Sequence, residues 1–236
     1  MGDKEKKELV ANKDLPMLTR GSVIYIDLAY IRSLILAIPY FGSPIDLILS
    51  KKGKKYHQKR IELFLSELKN RLNKVENQIL QIQDEEGLFD IMQTAFEQVV
   101  KSRSKLKIER FSLLTADYIV NERNWDETEA LIKLVGELSD THIDILNYMV
   151  SSPRTMGSHR VVYIGGDRPY QNNIPVLGDH FPKFSESALK MYCSELVSKN
   201  LLHDEGIGRA NIGSLEYIEP TDLAFWLLDK IKKQNI

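Results

Sequence analysis

The residues of this chain best suited to acid–base or metal chemistry are five histidines, His57, His142, His159, His180 and His203, and a single thiol, Cys193. A zinc or metalloprotease site needs ligands a few residues apart or on one helical face. These histidines are scattered, and no HExxH occurs. One cysteine excludes an intramolecular disulfide and any cysteine-built zinc site. Cys193 falls in an apolar helical pattern, where a small buried thiol is expected rather than a nucleophile. Gly206 and Gly208 open like a nucleotide cradle, but position 211 is Asn and the segment leads towards a strand. A phosphate cradle needs a helix N-terminus behind its glycines, so this stretch reads as a loop between strands. The expectation is a protein without catalytic residues, metal or cofactor.

Cations offer a different chemistry. Between Lys51 and Lys74 stand nine Lys or Arg against Glu62 and Glu67. Lys51, Lys52, Lys54, Lys55, Lys59 and Arg60 follow an apolar stretch, an arrangement that fits contact with an anionic membrane surface, where each cation contributes about 1 kcal/mol. The same tract could track a phosphate backbone, and a solvated helix face explains it as well. A second group, Lys183, Lys190, Lys199 and Arg209, flanks a C-terminal helix and loop and could reach nucleic acid or a protein partner. Against it stand Glu186, Glu195, Asp204, Glu205 and Glu216, so no basic face emerges.

The 236 residues carry a net charge of −1, with 43% hydrophobic and 28% charged side chains. That balance excludes wholesale disorder and a general polyanion binder, and allows one large core or two small domains. The opening MGDKEKKELVANKD is charged and lacks an apolar core, so a cytoplasmic protein is expected, with the inner membrane surface as the alternative location.

The elements that must position these groups are mostly helical. Residues 1–21 read as a charged N-terminal arm. Ser22–Leu49 carries only Asp27, Arg32 and Asp46 as charges and reads as an apolar helical hairpin broken around Pro39 and Pro44. Its longest charge-free run, Ser33–Ile45, falls short of the roughly 20 residues a bilayer core requires; the buried centre of a bundle is its expected role. From Lys54 to Gln83, Ile61, Leu65, Leu68, Leu72, Val75, Ile79 and Ile82 alternate at spacings of four and three, which only a helix puts on one stripe. Phe64 and Leu80 widen the stripe, so more than one neighbour is expected. Further helices follow through Leu88–Val100, through Ser104–Asn121, after an Asp126/Glu129 capping box, and after a cap at Asp140.

Beyond Pro153 the texture changes. Val161–Ile164 is strand-like, and Ser185 caps a helix that stops at Asn200 in a left-handed conformation. Leu201–His203 and Leu215–Ile218 pair as strands, and Pro220 with Thr221 opens a last amphipathic helix. The predicted fold is mainly α: an N-terminal helical bundle over 22–139, then a winged-helix-like α+β module over 140–236.

Two resemblances attach to these segments. SELVSKNLLHDEG and EYIEPTDLAFWLLDKI resemble a winged helix-turn-helix domain, over roughly Asp140 to Lys233, except that no compact helix is visible ahead of Ser185. AIPYFGSPIDLILSKKGKKYHQKRIELFLSELKNRLNKVE and RFSLLTADYIVNERNWDETEALIKLVGELSDTHIDIL are similar to segments of abortive-infection proteins of the alpha type, from about Ile24 to Met149. That resemblance implies a role in phage defence or its regulation and supplies no catalytic residue. The resulting expectation is a non-enzymatic sensor or adaptor that binds a protein, including a second copy of itself. A DNA-binding regulator acting through Ser185–Lys199 and Arg209, and an effector associating with membranes, are the alternatives.

Overall fold

Helices dominate the described residues, and their ends show why each begins and stops where it does. The computed structural model describes residues 51–74, 84–121, 124–155, 159–165, 173–206 and 213–232. The expected arm, the apolar hairpin, the stripe residues Val75, Ile79 and Ile82, and Arg209 lie outside them. Among the described residues are eight helices and a small antiparallel sheet of three strands. They divide into two compact units between Glu129 and Ala130.

In the first unit α1 (Lys51–Lys74), α2 (Glu85–Lys101) and α3 (Lys105–Asn121) each pack on the other two. Phe64, Leu65, Leu68 and Leu72 of α1 are buried, so its apolar stripe does serve two neighbours. Phe64 meets Phe96 of α2 edge-on, with ring centres 5.6 Å apart. Each such fully buried side chain contributes about 1.5–3 kcal/mol. The most enclosed helix is α3, which buries nine residues between Ile108 and Ile119. Two of them are polar, and both bond back along the helix: Ser112 Oγ donates to the Glu109 carbonyl at 2.8 Å and Thr115 Oγ1 to that of Phe111 at 2.9 Å.

Asp84 caps α2, its Oδ1 accepting the Gly87 N–H at 2.8 Å. The helix therefore starts a turn before its first apolar residue. Glycine is needed at 87 because a side chain there would run into the Asp84 carboxylate and come within 2.6 Å of the Tyr118 hydroxyl.

Helix α4 (Trp125–Glu137) crosses the division between the units. Its cap is Asn124, whose Oδ1 accepts the Asp126 N–H at 2.9 Å, and not the expected Asp126. Glu129 is drawn away from any capping box: its Oε1 accepts the Thr94 hydroxyl at 3.0 Å.

In the second unit the end of α4 is followed by α5 (Asp140–Ser151), capped by Ser139 and not by Asp140. Strand β1 (Val162–Tyr163), helix α6 (Leu177–His180) and helix α7 (Glu186–Ser198) follow, then β2 (Leu202–Asp204), β3 (Tyr217–Pro220) and α8 (Asp222–Ile231). The sheet order is β1-β3-β2, antiparallel throughout, with Val162 opposite Ile218 and Asp204 opposite that same residue on the other side. Both β2 and β3 lie slightly later in the chain than the hydrophobic runs indicate. Leu215 has φ 56° and belongs to a turn, so pairing begins only at Tyr217.

Ser185 caps α7 as expected, its Oγ accepting the Ala188 N–H at 3.3 Å. Asn200 ends it with φ 59°, and the Leu201 N–H reaches back to the Leu196 carbonyl at 2.9 Å, a Schellman closure. Thr221 then caps α8 and donates its hydroxyl to the Asn200 carbonyl at 2.7 Å. The short α6 has no side-chain cap. Packing holds it instead: His180 stacks on Tyr148 of α5 with ring centres 4.1 Å apart, and Phe181 meets the same tyrosine edge-on.

Candidate functional site

The outward face of α7 follows from what the helix buries. Leu189, Cys193 and Leu196 point into the unit, which leaves Glu186, Ser187, Met191, Ser194, Glu195 and Ser198 exposed. Met191 is the apolar exception, at 50% exposure. The predicted cations around this face are occupied. Lys190 pairs with Glu186 at 2.8 Å, and Lys199 pairs with Glu137 of α4. Lys183 lies 5.0 Å from the centre of the Phe184 ring. The site residues read from the sequence are thus not gathered into one cationic surface among the described residues.

On α1, Lys55 and Lys59 are exposed, and so is Tyr56 between them. Arg60 is used internally, donating through Nη1 to the Val100 carbonyl of α2. Burial, and then the Arg60 charge, hold the neighbouring His57 below the usual histidine range. Lys51, Lys52 and Lys54 belong to the helix, but their side chains lie outside the description. No helix among the described residues is long and apolar enough to cross a membrane.

Ser139, His142 and Glu195 have the membership of a hydrolytic triad. Ser139 Oγ stands 3.0 Å from His142 Nδ1, and Nε2 stands 3.1 Å from Glu195 Oε2. The hydrogen bonds are those of a helix cap. The His142 N–H donates to Ser139 Oγ at 3.2 Å, and the Ser139 N–H donates to Nδ1 at 3.0 Å. Nδ1 must therefore be unprotonated, and the neutral ring carries its proton on Nε2, facing the carboxylate. The ring is 3% exposed and packs edge-on against Tyr192, closed to any substrate. It completes the S-x-x-E/Q type of capping box with histidine in the third place. Sequence reasoning missed this constellation because Glu195 is distant in the chain.

The remaining chemistry-bearing groups are also structural. Cys193 is fully buried, and burial pushes its thiol up to about 12, far from the thiolate a nucleophile needs. Asp204 is 2% exposed and accepts three bonds: from Gly206 N–H at 2.9 Å, Ser214 Oγ at 3.0 Å and Leu215 N–H at 2.9 Å. It ties the end of β2 to the turn before β3. Gly206 is obligatory there, since a side chain would collide with the Gly213 carbonyl oxygen. Among the described residues no three His, Cys, Asp or Glu come together as a metal cage.

One concave feature stands apart. A cleft of about 530 Å³ opens between the chain ahead of β1 and the start of α8, and its lining includes Arg154, His159, Arg160, Glu219, Asp222 and Phe225. His159 Nδ1 stands 2.8 Å from Glu219 Oε2. Arg160 donates through Nη1 to the Ser152 carbonyl, and its guanidinium lies 6.0 Å from the Phe225 ring centre. Of these residues the sequence singles out only His159, as one of the scattered histidines; β1–β3 pairing and the Thr221 cap bring them together. Comparison with protein-family models, with curated proteins and with solved structures gives no match.

Proposed function

We propose that the second unit is a winged-helix-type module that recognises a protein, and that the chain works as a non-enzymatic adaptor. Two features support the winged-helix reading. The order helix, strand, short helix, helix, strand, strand suits it, as does a sheet in which the first strand pairs beside the last. The short helix missing from the sequence pattern is α6. The helix that such a module presents outward is α7.

The observation that carries the choice of protein over DNA is the outward face of α7. Phosphate contacts need unpaired Lys or Arg around the presented helix. Here Lys190 and Lys199 are neutralised by Glu186 and Glu137, and the exposed positions are serines, acids and Met191. A flexible, exposed Met191 suits a protein contact, where methionine is enriched. The phage-defence expectation rests on the sequence resemblance alone.

The partner to test first is a second copy of the chain. Light scattering over a range of concentrations should show self-association that Met191→Glu weakens. Filter binding with duplex DNA at low salt should show no retention. Retention with a steep salt dependence, lost in Lys190→Glu, would replace the adaptor by a DNA-binding regulator.

A further inference from the structure

Among the described residues that line the cleft beside α8, all the charged side chains but two are already engaged. His159 faces Glu219, and Arg160 is held by the Ser152 carbonyl and the Phe225 ring. Arg154 and Asp222 are both exposed, and neither side chain has a hydrogen-bond or ion-pair partner among the described residues, each other included. A simple anion entering here would meet Arg154 but also the charge of Asp222. A simple cation would meet Asp222 but also two guanidinium groups. Only a solute bearing both charges is matched at both points.

Phe225, 37% exposed, adds apolar surface on the same cleft. The volume, about 530 Å³, lies within the about 300–1,000 Å³ common for small-molecule sites. We propose that this cleft binds a small zwitterion with an apolar side group, the chemistry of a free amino acid. Its carboxylate lies on Arg154, whose planar fork donates to two oxygens side by side. Its ammonium lies on Asp222 and its apolar group on Phe225. The cleft shares no residue with the outward face of α7, so this inference goes beyond the adaptor reading and does not depend on it.

Isothermal titration of the full chain tests it with four probes: L-phenylalanine, L-leucine, phenylpropionate, which lacks the ammonium, and phenethylamine, which lacks the carboxylate. Phenylalanine should bind about tenfold tighter than either deficient analogue, because each forfeits one charge-assisted contact. Arg154→Gln should bring phenylalanine down to the affinity of phenethylamine, and Asp222→Asn down to that of phenylpropionate. Both changes are at exposed side chains, and circular dichroism checks that the variants are folded. The proposal is overturned if neither amino acid gives saturable binding to the unaltered chain, or if both variants bind phenylalanine as the unaltered chain does.

Discussion

The hydroxyl of Tyr118 donates to Asp84 Oδ2 across 3.3 Å, while the other oxygen of that carboxylate accepts the Gly87 N–H at 2.8 Å. One aspartate thereby opens α2 and fastens it to α3. Burial, and then the Asp84 charge, push the Tyr118 phenol up from 10 to about 12.

The sign of the resulting pH dependence follows directly. Between pH 10 and about 12 the native chain keeps a proton that the unfolded chain has lost, so stability is full below pH 10 and falls as pH rises through that window. Urea unfolding at several alkaline pH values should show this slope in the unaltered chain and a smaller one in Tyr118→Phe. Tyrosinate absorbance gives an independent check: if all ten tyrosines of the folded chain titrate together near 10, the coupling to Asp84 is wrong.

Asp204→Ala should be among the most damaging single changes in the second unit. It leaves three donors without their acceptor: the Gly206 N–H is buried, the Leu215 N–H half-buried, and the Ser214 hydroxyl belongs to an exposed residue. With about 1–3 kcal/mol for the buried group left unsatisfied and less for the two that water can reach, the loss should be about 2–3 kcal/mol, read from the urea midpoint. Asp204→Asn keeps one acceptor oxygen and should lose less.

Asn200 separates a backbone effect from a side-chain one. Its φ of 59° suits glycine and is tolerated by asparagine. Asn200→Gly should therefore stay within a few tenths of a kcal/mol of the parent, whereas Asn200→Val should cost about 1–2 kcal/mol. The Thr221 hydroxyl bonds the carbonyl of this residue and is preserved in both variants. Equal thermal midpoints for the two would remove the left-handed stop as an energetic feature.

Local rules made part of this molecule legible in advance. The stripe of α1 as far as Leu72, the Ser185 cap and the Asn200 stop each depend on neighbours within a turn or two, and each stands where spacing placed it. The caps stand at Asn124 and Ser139, one or two residues ahead of the equally suitable Asp126 and Asp140, because Asn124 reaches the second amide of its helix and Ser139 the third. Helix α6 was invisible because four residues without a side-chain cap carry no periodic signal, and its position comes from stacking on Tyr148. The cleft was invisible for the same reason on a larger scale. Arg154 and Asp222 are ordinary surface residues until β1 pairs with β3 and places the two segments side by side.

Cys193 is the chain's one thiol and lies fully enclosed, so disulfide-exchange reagents should leave the native protein untouched and modify it only after denaturation. A cysteine introduced at Met191 or Arg154 would then be the sole point of attachment for a fluorophore or spin label. The native background is silent, so distances and mobility at either surface become measurable without first removing the natural residue.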